Sequence, residues 1–80
     1  MRLDKYLKIS RIIKRRTVAN EACDGGRISV NGKVARASYA VKVGDIIEIA
    51  FGTHDLKAEI LSVTENARKE EASSMYRIIE

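Results

Sequence analysis

With 80 residues, 45% of them hydrophobic, the chain suffices for one globular domain with a limited core and is too apolar to be disordered throughout. A single Cys and a single His exclude an internal disulfide, a Cys-based zinc site and a His-rich metal cluster, and no cofactor is expected. The formal charge of +4 hides a division, because residues 1–44 hold eleven Lys/Arg against three Asp/Glu and residues 45–80 hold four against eight. Such a chain offers its first half to a polyanion and should turn its second half away from it.

The N-terminus, MRLDKYLKISRIIKRR, interrupts its apolar residues with charge every few positions, unlike the apolar middle of a secretory signal. No apolar run approaches the roughly 18 residues of a membrane span. A soluble, cytoplasmic protein with no membrane partner is therefore expected.

Residues 3–13 read as a short helix, with Leu3 and Leu7, and Tyr6 beside them, on one face, and Ser10 as a candidate break or cap. A second helix runs from about Arg15 to Asp24, where Val18, Ala19, Ala22 and Cys23 form one stripe. Gly25-Gly26 stops it, since Gly accepts the left-handed C-terminal conformation. The period then changes to alternation at Arg27–Val30, and Asn31-Gly32 is a strong hairpin signal. Lys33–Ala35 begins the return strand, and residues 36–42 read as irregular surface chain. Val43-Gly44-Asp45 turns into a strand at Ile46–Phe51, and the residues 52–55 turn into another at Leu56–Val63. Ala72, Met75, Tyr76 and Ile79 return to helical spacing and predict a C-terminal helix after a polar lead-in. The order predicts an α+β domain, two N-terminal helices packed on a small, mostly antiparallel sheet, with a helix at the C-terminus.

The basic residues of the helical half are Arg2, Lys5, Lys8, Arg11, Lys14, Arg15 and Arg16. Steps of three keep most of them on one broad side of a helix, away from Leu3 and Leu7. Lys14-Arg15-Arg16 falls at the start of the second helix, where cations oppose the helix dipole. An anion docked there would meet both these side chains and free backbone N–H groups. Arg27, Lys33 and Arg36 around the hairpin extend the set, which fits nucleic acid. Any one of these cations alone reads as a solvated surface residue, and the whole set would also suit an acidic protein partner.

Four aromatic residues are too few for a single-strand stacking platform, so folded RNA recognised by shape and phosphate position is favoured. Tyr76 and Phe51 read as core, and so, on balance, do Tyr6 and Tyr39, although both could stack on bases. No nucleophile–base pair, paired carboxylates or metal cluster is legible, so no enzyme is expected. Cys23 lies on an apolar stripe and reads as an inert core thiol, and His54 reads as surface. A helix-turn-helix DNA binder is disfavoured by the strands that follow and by the lack of a legible dimer surface; a monomer is expected.

The strings MRLDKYLK, KRRTVANEACDGGRISVNGK and VKVGDIIEI resemble the S-four RNA-binding domain, named for ribosomal small-subunit protein four. The resemblance covers roughly residues 1–50, with residues 51–80 completing the same domain. Gly26, Val30, Asn31 and Gly32 carry its core pattern, and Gly44-Asp45 before an apolar strand is a second anchor. The whole chain, including KEEASSMY, is similar to small stand-alone members of ribosome-associated quality control and to heat shock protein 15. The resemblance implies binding to ribosomal RNA of large subunits obstructed by peptidyl-tRNA, and support of C-terminal alanine tailing with the factor RqcH. A large-subunit recycling role of the heat-shock type is the alternative. It also implies that Arg2, Arg11, Lys14, Arg15 and Arg16 contact RNA, while Asn31, Gly32 and Lys33 position the same face. Arg15 stands where many members have a Ser helix cap, which predicts a helix start weaker by about 1 kcal/mol unless Thr17 or a phosphate compensates.

Overall fold

The computed structural model describes residues 1–79. Two helices, α1 (Leu3–Ile9) and α2 (Arg16–Asp24), precede strands β1 (Ile28–Val30), β2 (Lys33–Val34), β3 (Ile46–Ala50) and β4 (Asp55–Ile60). A four-residue helix α3 (Lys69–Ala72) and a 3₁₀ turn (Ser73–Met75) lead into a last strand, β5 (Tyr76–Ile78). The five strands form one sheet in the order β2-β1-β3-β4-β5, antiparallel throughout. This is the expected α+β architecture, with one change at its C-terminal end.

Alternation decides which face of the sheet is covered. Ile28 and Val30, Ile47 and Ile49, and Ala58 and Ile60 are buried, and they meet Leu3, Tyr6, Leu7, Ala19 and Cys23 of the helices in one cluster. Each fully buried aliphatic side chain contributes about 1.5–3 kcal/mol. Register places Ile28 opposite Ile49, Val30 opposite Ile47, and Ile47 opposite Ala58, so the apolar rows coincide on one face. On the other face Glu48 lies opposite Lys57, and Glu59 opposite Arg77.

Helix α1 ends at Ile9, four residues before the end of the predicted 3–13 helix, with the candidate break Ser10 as its C-cap. A straight helix would carry Ile13 about 120° away from Leu7 and out of the core. The chain instead breaks at Ser10 and Arg11, and Ile13 turns back to be buried, its N–H bonding the Leu7 carbonyl at 3.1 Å. The break holds Arg11 at φ 63°, a left-handed position that costs a non-glycine residue about 1–2 kcal/mol. Helix α2 ends as expected on Gly26 (φ 78°). There the Gly26 N–H bonds the Cys23 carbonyl and the Arg27 N–H bonds the Ala22 carbonyl, the reciprocal pair of a Schellman end. Its stripe is narrower than predicted, since Val18 is 48% exposed.

The predicted C-terminal helix is present but shorter than its spacing suggests: Ala72 lies in α3 and Met75 in the 3₁₀ turn, whereas Tyr76 lies in β5 and pairs with Ile60. Helical spacing gave way to an unpaired edge of β4, which residues 76–78 complete with Tyr76 and Ile78 as strand-favouring side chains. Met75 remains in the core, and its carbonyl accepts from the Leu61 N–H and from the Tyr6 hydroxyl, each at 2.8 Å. Phe51 is corrected as well, being 41% exposed and stacked on His54 beyond the end of β3. Residues 36–42 are irregular but tied down, with Ala37 and Val41 buried and the Val41 N–H bonded to the Met1 carbonyl at 2.9 Å.

Candidate nucleic-acid interface

Asp4 organises the basic half from below. It follows Leu3 and precedes Leu7 on the core stripe of α1, and is 2% exposed. Its Oδ1 accepts from Arg2 Nε at 3.1 Å and from the Lys5 N–H at 2.8 Å. Its Oδ2 accepts from Arg2 Nη2 at 3.3 Å, Arg16 Nε at 3.4 Å and Asn20 Nδ2 at 3.2 Å. Burial pushes this carboxyl up, but the bonds from Asn20, Arg2, Arg16 and the Lys5 amide together outweigh it and hold the group below the ordinary carboxylate value. The guanidiniums of Arg2, the N-cap of α1, and Arg16, the first residue of α2, are thereby held on one carboxylate, with about half of each side chain open to solvent.

A second cluster lies at the other end of α1. Lys8, Arg11 and Lys14 line an open groove of about 570 Å³ together with Glu65, Asn66 and Ala67. The left-handed turn at Arg11 lies between Lys8 and Lys14, and all three line the groove. Lys5 Nζ reaches Glu65 at 3.2 Å. Arg15 is the N-cap of α2, with no side-chain cap bond from it or from Thr17, so the first-turn N–H groups of that helix face outward unfilled by side chains.

The loop that follows the hairpin adjoins the first cluster through backbone. Arg2 forms an isolated antiparallel bridge with Ala40, and the Leu3 N–H bonds the Tyr39 carbonyl at 2.8 Å. Asn31 (φ 53°) and Gly32 (φ 85°) form the expected positive-φ turn. The Asn31 side chain is committed inward, donating to Asp45 Oδ1 at 3.1 Å and accepting from the Ile46 N–H at 2.9 Å. It therefore shapes the hairpin, leaving Lys33 as the outward cation there. Arg36 is exposed on the following loop. Arg27 stands apart from these clusters, beside Val18, Glu21 and Gly25 at the C-terminal end of α2.

Among the described residues, Lys8, Arg11, Lys14, Arg15, Arg27, Lys33 and Arg36 reach no carboxylate within 4.0 Å. Sequence reasoning missed Asp4 and Asn20. The signal was present, since an acid at position 4 shares the stripe of Leu3 and Leu7 and can be buried only if cations come to it. Cys23 is 1% exposed, and burial, aided by Asp4 and Asp24, pushes its thiol up to about 11, so the neutral form persists. No group of three or more His, Cys, Asp or Glu that could hold a metal occurs among the described residues. No helix among them is long and apolar enough to cross a membrane.

Two helices on an antiparallel sheet, with cations gathered along the helical pair, are the architecture of a small RNA-binding module. The S4 domain family model matches residues 1–47, and the chain belongs to that family. Over nearly its full length it is similar to proteins named RQC P-site tRNA stabilizing factor. The one from Halalkalibacterium halodurans is 56% identical over 78 residues, covering 98% of this chain and 89% of that protein. The one from Streptococcus pneumoniae is 56% identical over 79 residues, covering 99% and 90%. Among solved structures, the trimeric Vibrio cholerae heat shock protein 15 superposes with a TM-score of 0.91 at 31% identity, covering 99% of this chain and 81% of that one.

Proposed function

We propose that this chain is a non-catalytic cytoplasmic adaptor that binds RNA of large ribosomal subunits obstructed by peptidyl-tRNA and stabilises the tRNA there. The observation that carries the reading is the set of cations along α1, the 10–15 connection and the start of α2, fixed at one end by Asp4 and unpaired at the other. Unpaired cations release bound counterions when they meet phosphates, and that release drives nucleic-acid binding. Arg2, Arg11, Lys14, Arg15 and Arg16 are the principal phosphate contacts; Lys5, Lys8, Lys33 and Arg36 extend them. Arg27 belongs to the set only if the RNA wraps past the C-terminal end of α2. The names of the relatives from H. halodurans and S. pneumoniae support tRNA as a ligand and ribosome-associated quality control as the process. Support of alanine tailing, together with RqcH, is part of the proposal. The chain acts as a monomer in this reading, because its core closes within one copy.

The likeness to heat shock protein 15 favours a second reading, large-subunit recycling. Sucrose-gradient profiles of cells with and without the protein separate the two. In the first reading the protein travels with large subunits that carry peptidyl-tRNA, and its deletion abolishes alanine tails. Retained tails with accumulating obstructed subunits would favour recycling, and a protein found only at the top of the gradient would sink both.

A further inference from the structure

We propose that Tyr39, with Val34 and Lys33 beside it, forms a stacking subsite for one unpaired nucleobase of the bound RNA. The proposal rests on the RNA-binding reading above and adds a base contact to a face so far described only by its charges. Residues 1–44 contain two aromatic side chains, and the fold treats them in opposite ways. Tyr6 is fully buried with its hydroxyl on the Met75 carbonyl, whereas Tyr39 is 38% exposed.

The position of Tyr39 is fixed by backbone. Its carbonyl accepts from the Leu3 N–H at 2.8 Å, its N–H bonds the Arg36 carbonyl at 3.0 Å, and the next residue bridges to Arg2. A ring on so constrained a backbone loses little freedom on binding. Tyr39 lines an open groove of about 470 Å³ with Val30, Asn31, Lys33, Val34 and Ala35, and no acid lines it. Val34 is 66% exposed, an apolar side chain left in water on the edge strand β2. Asn31 is occupied by Asp45 and Ile46, so the groove presents a ring, a valine and one ammonium.

One ring and one cation match one nucleotide, the base lying on Tyr39 and Val34 and its phosphate meeting Lys33. The bases of an RNA duplex are stacked on each other and closed to such a groove, so the ligand is a nucleotide of a loop, bulge or splayed end. Stacking is indifferent to base identity, since every base has a π face. The subsite would therefore hold an unpaired position without reading its sequence.

The test measures affinity for purified large ribosomal subunits carrying peptidyl-tRNA, over a series of KCl concentrations, for the full chain. Tyr39→Ala and Tyr39→Leu should each bind about 10-fold more weakly with the salt slope unchanged, because a stack is lost and no phosphate contact is. Tyr39→Trp should bind at least as tightly as the wild type. Wild-type affinity in Tyr39→Leu would overturn the stack and return the groove to simple apolar packing or to a protein contact. If Tyr39→Ala fails to fold, the Leu and Trp variants decide by themselves. An Arg16→Ala variant run in parallel keeps the two claims apart. Weakened binding in Arg16→Ala with intact binding in Tyr39→Leu rejects only the subsite, whereas a flat salt response of the wild type rejects the RNA reading beneath it.

Discussion

The two halves of the molecule use charge differently. On the outer face of β3, β4 and β5, acids and bases answer each other across strands, Glu48 with Lys57 at 4.0 Å and Glu59 with Arg77. In the helical half, one buried carboxylate holds Arg2 and Arg16, while Lys8, Arg11, Lys14 and Arg15 have no partner of their own among the described residues. The only ion pair that joins the halves is Lys5 with Glu65, among the described residues. The net charge of +4 thus conceals a neutralised sheet and an unneutralised helical face. Surface pairs of the first kind contribute little, about 0–1 kcal/mol each, and serve solubility. Unpaired cations fixed on a rigid element are the arrangement that awaits a polyanion.

The sharpest way to break this contrast is Asp4→Asn. It keeps the volume but removes the charge that gathers Arg2 and Arg16, and it should cost about 1–3 kcal/mol of stability, read from urea unfolding. Arg2 and Arg16 would then have to be ordered by the RNA itself, at about 0.5–1.5 kcal/mol each, so affinity for RNA should fall as well. The same carboxyl makes the effect depend on pH. Its value is held below the ordinary 3.8 in the fold, so its contribution is complete above that value and is lost as pH falls through the folded one. The stability difference between the wild type and Asp4→Asn should therefore be constant at neutral pH and shrink only in acid. A difference that already shrinks near pH 6 would contradict this assignment.

At the other end of the scale stands Arg77→Ala. Its partner Glu59 lies on an open sheet face, and the loss should stay within about 0.5 kcal/mol with RNA affinity unchanged. An affinity drop there would show that the sheet face, and not the helical face alone, meets the ligand.

Much of the fold was legible in the residues. Gly26 and the pair Asn31-Gly32 occupy positive-φ positions that few other residues tolerate, and both turns fall where the sequence puts them. Alternation at 28–30 and 46–50 gave the covered face of the sheet. The end of α1 was legible only in part: Ser10 stood as a candidate break or cap, but the helical reading ran on to residue 13, and the burial of Ile13 that requires the break is a tertiary effect. The C-terminal strand was hidden by a helical spacing that local pattern cannot distinguish from a strand completing an open edge. In the site, the cations were visible as a list, but their grouping was not. Arg2 and Arg16 meet because Asp4 lies between them, and Lys8 and Lys14 share a groove with the left-handed Arg11. Tyr39 and Tyr6 have the same side chain, and only tertiary packing separates the exposed ring from the buried one.

The central claim is that the cations of the helical face, Arg16 held by Asp4 and Lys14 and Arg15 without a carboxylate partner among the described residues, engage phosphates. The direct test is the salt dependence of RNA affinity for the wild type and for a triple variant, Lys14→Ala with Arg15→Ala and Arg16→Ala. Each lost phosphate contact lowers the slope of log affinity against log salt by about 0.7–0.9, so the triple variant should fall by roughly 2–3. An unchanged slope in a variant that melts like the wild type would mean that these side chains do not touch the RNA.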